Sequence, residues 1–317
     1  MCTSFTLKIP NMRALVISGG GSKGAFAGGV AEYLLRDCGK DYDILVGTST
    51  GSLLVPLLAL GEIDRLKQVY TTVRQRDVFS ICPFVIRKQD GVYHTRINHI
   101  NTLRMFLRRR KTFGESTNLR KLIGRTYLPE DHRRLQASHK KVSVTVSNLT
   151  HNRKEYKLAD TCSYEDFCDW MWLSSNLVPF MSLGVKNGDE YADGGFGSLI
   201  PVQQAIDLGA REVDVIVLQP KANEVETTPV ENAFDSLLKT FDFMLTQIGK
   251  DDVVIGNLAS RVHQVSIFTY HTPRLLTDNA FVFDPEQMAA WWQEGYEFAK
   301  EFNPDCHCLD PVDPNSM

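Results

Sequence analysis

Apolar residues in this chain gather in short unbroken runs, separated by glycine turns and by stretches with helical spacing. Residues 13–18 (RALVIS) form one such run, closed by Gly19-Gly20-Gly21, and residues 43–46 (DILV) form another, closed by Gly47. Between them, Gly24 to about Asp37 has helical spacing, with Phe26, Val30, Tyr33, Leu34 and Leu35 available for burial. After the second run, Leu53, Leu54, Leu57, Leu58 and Leu60 predict another helix that stops at Gly61. Strand, glycine turn and helix, twice in close succession, is the pattern of parallel strands in an α/β layer. Parallel strands are covered on both faces, which accounts for runs that are continuously apolar rather than alternating.

Residues 76–115 break the pattern, with few periodic runs and a basic patch at Arg104, Arg108, Arg109, Arg110 and Lys111. They read as an inserted loop or cap between core elements. Downstream, strands are expected at 141–147, around 154–158, at 213–218 and at 263–269. Helical spacing covers Tyr164 to Ser175, then 230–248 through Phe234, Leu237, Leu238, Phe241, Leu245 and Ile248, and finally 285–302. No internal repeat, low-complexity tract or long Pro/Gly linker divides the chain.

Composition changes this picture little. The 317 residues are 43% hydrophobic and 23% charged, with a net charge of −3. That is the profile of a globular chain, without the basic excess of a nucleic-acid binder. The opening MCTSFTLKIPNMRALVIS lacks the basic start and apolar core of a signal peptide. No apolar run approaches the roughly 20 residues that span a bilayer. Seven scattered cysteines, an odd number, fit reduced thiols in a cytoplasm better than a disulfide framework. Cys306 and Cys308 flank His307, but three adjacent donors without a second cluster rarely close a tetrahedral site, so neither metal nor cofactor is expected.

Three segments carry candidate chemistry. The first is Gly47-Thr48-Ser49-Thr50-Gly51, where a strand turns into a helix. Glycines two before and two after a serine let a nucleophile elbow form and aim a helix N-terminus at a developing oxyanion. An ordinary glycine-bounded βα turn would look the same in isolation. The second is Ser18-Gly19-Gly20-Gly21-Ser22-Lys23-Gly24. Its Gly19, Gly21 and Gly24 satisfy the dinucleotide spacing G-x-G-x-x-G, yet the next strand delivers a serine elbow instead of an acidic residue. An oxyanion hole built from the N–H groups of Gly19, Gly20, Gly21 and Ser22 fits better, with Gly20 and Gly21 foremost. A Walker A loop is excluded because its Gly-Lys-Ser/Thr ending is absent. The third is Asp193-Gly194-Gly195, which alone would be a glycine turn with a capping aspartate.

GGGSKG, GTSTG and DGG, in that order, resemble the patatin-like phospholipase family over roughly residues 13–205. Residues 174–180 (SSNLVPF) match the small-residue and proline segment that the family places before its aspartate. The departure is Lys23 where arginine is frequent. The resemblance implies a three-layer α/β/α fold with a mostly parallel central sheet. It also implies a Ser49–Asp193 dyad without histidine, acting as a phospholipase A or lysophospholipase-type lipid acyl hydrolase. Lys23, Gly24, Gly47, Gly51, Gly194 and Gly195 would support the motifs. On this reading residues 12–210 are the catalytic core, with a variable cap near 76–115, and 211–317 pack on the same domain.

Three alternatives stay open on sequence alone. A Ser-His-Asp hydrolase would take its base from His263 or His271, although no family motif surrounds either. An acyltransferase would pass the same acyl-enzyme to an alcohol or thiol. A non-catalytic lipid binder would be expected to lack Ser49 or Asp193, and both are present. The partner expected is a lipid or acyl-ester substrate, with no nucleic acid. The Arg104–Lys111 patch, beside Leu103, Met105, Phe106 and Leu107, is either a solvated basic helix end or a peripheral contact with an anionic bilayer. The 230–248 stripe is expected to be core packing rather than an acyl channel. Trp170, Trp172, Trp291 and Trp292 are expected to be anchors.

Overall fold

The computed structural model describes residues 12–89, 91–221, 229–230 and 232–303. Strands are β1 Met12–Ile17, β2 Ile44–Thr48, β3 Phe84–Gln89, β4 Val92–Ile97, β5 Lys141–Asn148, β6 Arg153–Leu158, β7 Gly184–Lys186, β8 Asp189–Asp193, β9 Ala210–Pro220 and β10 Ser266–Thr272. Helices are α1 Gly24–Arg36, α2 Thr50–Ala59, α3 Ile63–Tyr70, α4 Gln75–Val78, α5 His99–Leu107, α6 Thr117–Thr126, α7 Pro129–Ala137, α8 Tyr164–Ser174, α9 Val202–Asp207, α10 Ala233–His263 and α11 Pro285–Phe302.

The apolar runs become the centre of one sheet, in the order β10-β9-β1-β2-β5-β8-β7, with β6 also paired to β5. The first five strands of that order run parallel, and β6, β7 and β8 join antiparallel. Both faces are buried, as continuous apolar strands require. On β1, Leu15 and Ile17 face a core that includes Phe26 of α1, Leu54 of α2, Phe167 of α8 and Trp292 of α11. Ala14 and Val16 face the opposite core, which α9 covers with Val202, Ala205 and Ile206, and α10 with Leu245 and Ile248. The fold is therefore a three-layer α/β/α arrangement around a mostly parallel sheet. Each large apolar side chain buried here contributes about 1.5–3 kcal/mol. Trp170, Trp291 and Trp292 are buried and Trp172 partly so, and the Trp292 Nε1–H donates to Glu32 Oε2 at 2.6 Å.

Several local expectations change. Residues 76–115 are not an irregular loop, because β3 and β4 form an antiparallel hairpin and α5 follows. The helix expected at 230–248 runs on to His263, and β10 starts only at Ser266. Gly249 and Gly256 interrupt the apolar spacing without ending the helix. They let α10 lie against Leu199 and Val202, where a Cβ on Gly256 would meet Val202 at 2.9 Å. Cys38 is disulfide-bonded, so the expectation of uniformly reduced thiols fails there, while Cys82, Cys162 and Cys168 are free. Cys306, His307 and Cys308 lie outside the described residues.

Candidate active site

The two site motifs meet because of the register along β5. On one edge, β2 pairs with β5 as far as Thr48 opposite Thr145. β6 occupies the other edge, so β8 must continue where β2 stops, and it places Asp193 opposite Val146. Ser49, the residue after β2, would have taken that position had the chain not turned away. The turn is sharp, with Ser49 at φ 54° and ψ −122°, a conformation costly for a residue with a side chain. It depends on Gly47 and Gly51, since a Cβ on Gly47 would lie 2.4 Å from the Gly51 carbonyl and one on Gly51 2.2 Å from the Ile17 oxygen.

The result is a direct contact: the Ser49 hydroxyl donates to Asp193 Oδ2 at 2.7 Å. Asp193 closes β8 rather than sitting on a free loop, and its Oδ1 accepts from the Gly195 N–H at 2.8 Å. Only 4% of Asp193 is exposed. Burial raises its pKa to about 7, against the opposing effects of the Ser49 and Gly195 hydrogen bonds. A carboxylate so placed can exchange a proton with Ser49 near neutral pH.

Small polar residues clamp the elbow. The Ser49 N–H donates to Ser174 Oγ at 3.0 Å, while the Ser49 carbonyl accepts from Ser52 Oγ at 2.5 Å and Ser175 Oγ at 3.1 Å. The Asp193 N–H donates to the Asn176 carbonyl at 2.8 Å. The segment 174–176 thus touches both members of the pair. From the far layer, Asp252 of α10 accepts from Ser198 Oγ at 3.1 Å and the Ile200 N–H at 2.9 Å. The Ser198 carbonyl in turn accepts from Thr48 Oγ1 at 3.0 Å. Neither Ser198 nor Asp252 stands in a motif, and only the contacts identify them.

The glycine-rich loop divides by what its N–H groups already do. Gly19 donates to the Leu199 carbonyl at 3.1 Å and Ser22 to the Ala280 carbonyl at 2.9 Å. The N–H groups of Gly20 and Gly21, between them, have no acceptor among the described residues. Gly21 has φ 56°, and a Cβ there would lie 2.4 Å from the Ala280 oxygen. Lys23 is buried behind the loop, and burial lowers its pKa while Asp242 opposes the shift. Gly24 packs on α2, where a Cβ would strike Thr50 Oγ1. Gly194 packs on β5, where one would strike the Thr145 oxygen.

Neither histidine joins the pair. His263 is exposed at the end of α10, and His271 on edge strand β10 places Nδ1 3.2 Å from the Gln219 carbonyl. Among the described residues, no group of His, Cys, Asp and Glu side chains is arranged to hold a metal ion. An apolar cavity lies between α2, α3 and α6, lined by Gly21 and Thr50 near the elbow and by Leu122, Ile123 and Tyr127 further off.

A family model for patatin-like phospholipases matches residues 15–206, from β1 past the aspartate. The chain belongs to the patatin-like phospholipase family. Among curated proteins, a cUMP-AMP-activated phospholipase from Escherichia coli is 39% identical to this patatin-like chain over 64 residues. That match covers 19% of this chain and only 20% of the relative. Among solved structures, VipD from Legionella pneumophila aligns over 93% of this chain and 67% of its own, at 17% identity and a TM-score of 0.48. The type III effector protein ExoU aligns over 95% of this chain and 54% of its own, at 14% identity and a TM-score of 0.41.

Proposed function

We propose that this chain hydrolyses the acyl esters of lipids, as a phospholipase A or lysophospholipase, through an acyl-enzyme on Ser49 with Asp193 as the base. The observation that carries the proposal is the 2.7 Å hydrogen bond from Ser49 to a buried aspartate at a strained elbow. A serine hydroxyl is a poor nucleophile until a neighbouring base accepts its proton. In acylation, Ser49 Oγ attacks the ester carbon and its proton passes to Asp193 Oδ2. The carbonyl electrons move to the oxygen, which the Gly20 and Gly21 N–H groups are free to stabilise. Collapse of that intermediate breaks the ester C–O bond, and Asp193 returns the proton to the leaving alcohol. Water then adds to the acyl carbon, giving its proton to Asp193. Collapse frees the fatty acid, and the proton goes back to Ser49.

The cavity lined by Gly21 and Thr50, which adjoin the glycine-rich loop and the elbow, is almost wholly apolar and so favours an apolar acyl part over a small polar acid. Phe283 and Met288, from 211–317, line it together with residues of 12–210, so both parts of the chain shape this pocket. Ile123→Trp tests the assignment by filling the far end of the cavity. Fatty-acid release from long-chain phosphatidylcholine is expected to fall at least about tenfold, and turnover of p-nitrophenyl acetate to stay within twofold, an effect about the size of a lost methylene or two in a pocket. Equal losses on both substrates, or none on either, would remove the cavity from the account. Absence of any ester hydrolysis by the unmodified protein would remove the proposed activity itself.

A further inference from the structure

We propose that helix α5 and the β3–β4 hairpin form a docking face for anionic lipid bilayers, set beside the mouth of the active site. The observation is a helix turned the wrong way for water. Along α5 only Met105 is buried, while Ile100 is 81%, Leu103 57%, Phe106 78% and Leu107 73% exposed. Ile100, Leu103 and Leu107 fall on one face at spacings of three and four, with Phe106 alongside. This face is not a frayed end. The Asn98 side chain caps the helix by accepting from the Asn101 N–H at 3.0 Å, and Asn101 Nδ2 donates to the Cys82 carbonyl at 2.9 Å.

Charge decides which partner fits. Residues 79–114 contain eight Lys and Arg and one Asp, in a chain whose net charge is −3. Arg104, Arg108 and Arg109 are exposed and make no ion pair among the described residues, although Arg110 and Lys111 pair with Glu115 and Glu190. Exposed apolar side chains ringed by unpaired guanidinium groups match an anionic leaflet, which offers both phosphate charge and an apolar interior. A second copy of this chain would have to bring acidic groups to the same place.

The hairpin root links this face to the chemistry. Phe84 packs on Phe281 with ring centroids 5.0 Å apart and on Phe180 at 5.8 Å. Phe281 follows Ala280, whose carbonyl holds the oxyanion loop through the Ser22 N–H. A lipid leaving the bilayer at α5 would therefore arrive beside Gly21 and the apolar cavity. The purpose of the face rests on the acyl-hydrolase reading, but its test does not.

Binding is measured on Ser49→Ala protein, which separates it from turnover, by co-sedimentation with phosphatidylcholine vesicles with and without phosphatidylglycerol. The protein is expected to bind the anionic vesicles and not the neutral ones. Arg104→Gln, Arg108→Gln and Arg109→Gln together should lower partitioning about 100-fold, from roughly fivefold per basic residue. High salt should reproduce that loss. Leu103→Ser with Phe106→Ser and Leu107→Ser should lower it at least about tenfold at low salt. With Ser49 restored, both sets should hydrolyse p-nitrophenyl acetate as the unmodified enzyme does, which also shows that they fold. Failure to bind anionic vesicles, or equal binding by all variants, would overturn the proposal. So would a dimer in sedimentation velocity that the Leu103, Phe106 and Leu107 changes convert to monomer, since the face would then belong to a second copy.

Discussion

Helices α2 and α5 are both short and rich in leucine, and they meet opposite environments. Along α2 every residue except Leu53 is buried, whereas along α5 only Met105 is. The difference lies in what each is built to hold. α2 begins at the elbow, so its burial fixes the Ser49 backbone and keeps water from Asp193, and that dryness moves the carboxylate toward pH 7. α5 stands on a hairpin anchored at its root by Phe84, and none of the described residues covers its Ile100, Leu103, Phe106 and Leu107 side chains. A core helix is explained by its neighbours within the fold, and α5 by the solvent it is made to meet.

The largest expected effect lies on the α2 side. Asp193→Asn should lower kcat for ester hydrolysis at least about 10³-fold, close to the loss from Ser49→Ala, because members of such a unit fail together. Initial rates on a p-nitrophenyl ester measure both. Retention of a tenth of the rate by Asp193→Asn would move the base elsewhere.

The comparison itself can be broken by unfolding measurements. Leu54→Ala, at a fully buried site, should cost about 2–5 kcal/mol in urea denaturation. Leu103→Ser should stay within about 0.5 kcal/mol, as exposed changes do. Similar losses at the two sites would mean that α5 is covered in solution.

The pKa of Asp193 gives the next effect, with its sign set by the direction of the shift. The base form prevails above about pH 7, so kcat/KM should fall toward tenfold per unit below that value. Stability runs the other way. Between the ordinary carboxylate value near 3.8 and about 7, the folded chain keeps a proton that the unfolded chain has released. The stability linked to that proton is present at low pH and lost as pH rises through the window. Asp193→Asn removes the loss, so the variant should exceed the parent protein near pH 8 by on the order of 1–3 kcal/mol. Thermal melts at about pH 5 and pH 8 measure it, and a variant less stable at both would contradict the buried-carboxylate account.

Much of the fold was legible because parallel strands leave continuous apolar runs ended by glycine, as in RALVIS and DILV. The motif residues were legible for a related reason, since Gly47, Gly51 and Gly21 occupy places where a Cβ would strike backbone. Ser198 and Asp252 were not, because their roles come from the crossing of distant elements and their side chains are common ones, while Ser174 and Ser175 were visible as a segment but not as the clamp on Ser49. The hairpin was missed because β3 and β4 mix apolar with charged residues and, among the described residues, bury only Phe84 fully, with Ile86 and Ile97 partly covered. α10 was cut short because its apolar spacing breaks after Ile248, where Gly249 and then Gly256 lie close against Leu199 and Val202.

The account turns on Ser49 being the nucleophile and Asp193 its base. Labelling with a fluorophosphonate probe, followed by peptide mapping, tests both together. The account predicts one modified residue, Ser49, with labelling lost in Asp193→Asn and kept in His263→Ala and His271→Ala. A label on another serine, or loss of labelling in either folded histidine variant, would contradict it.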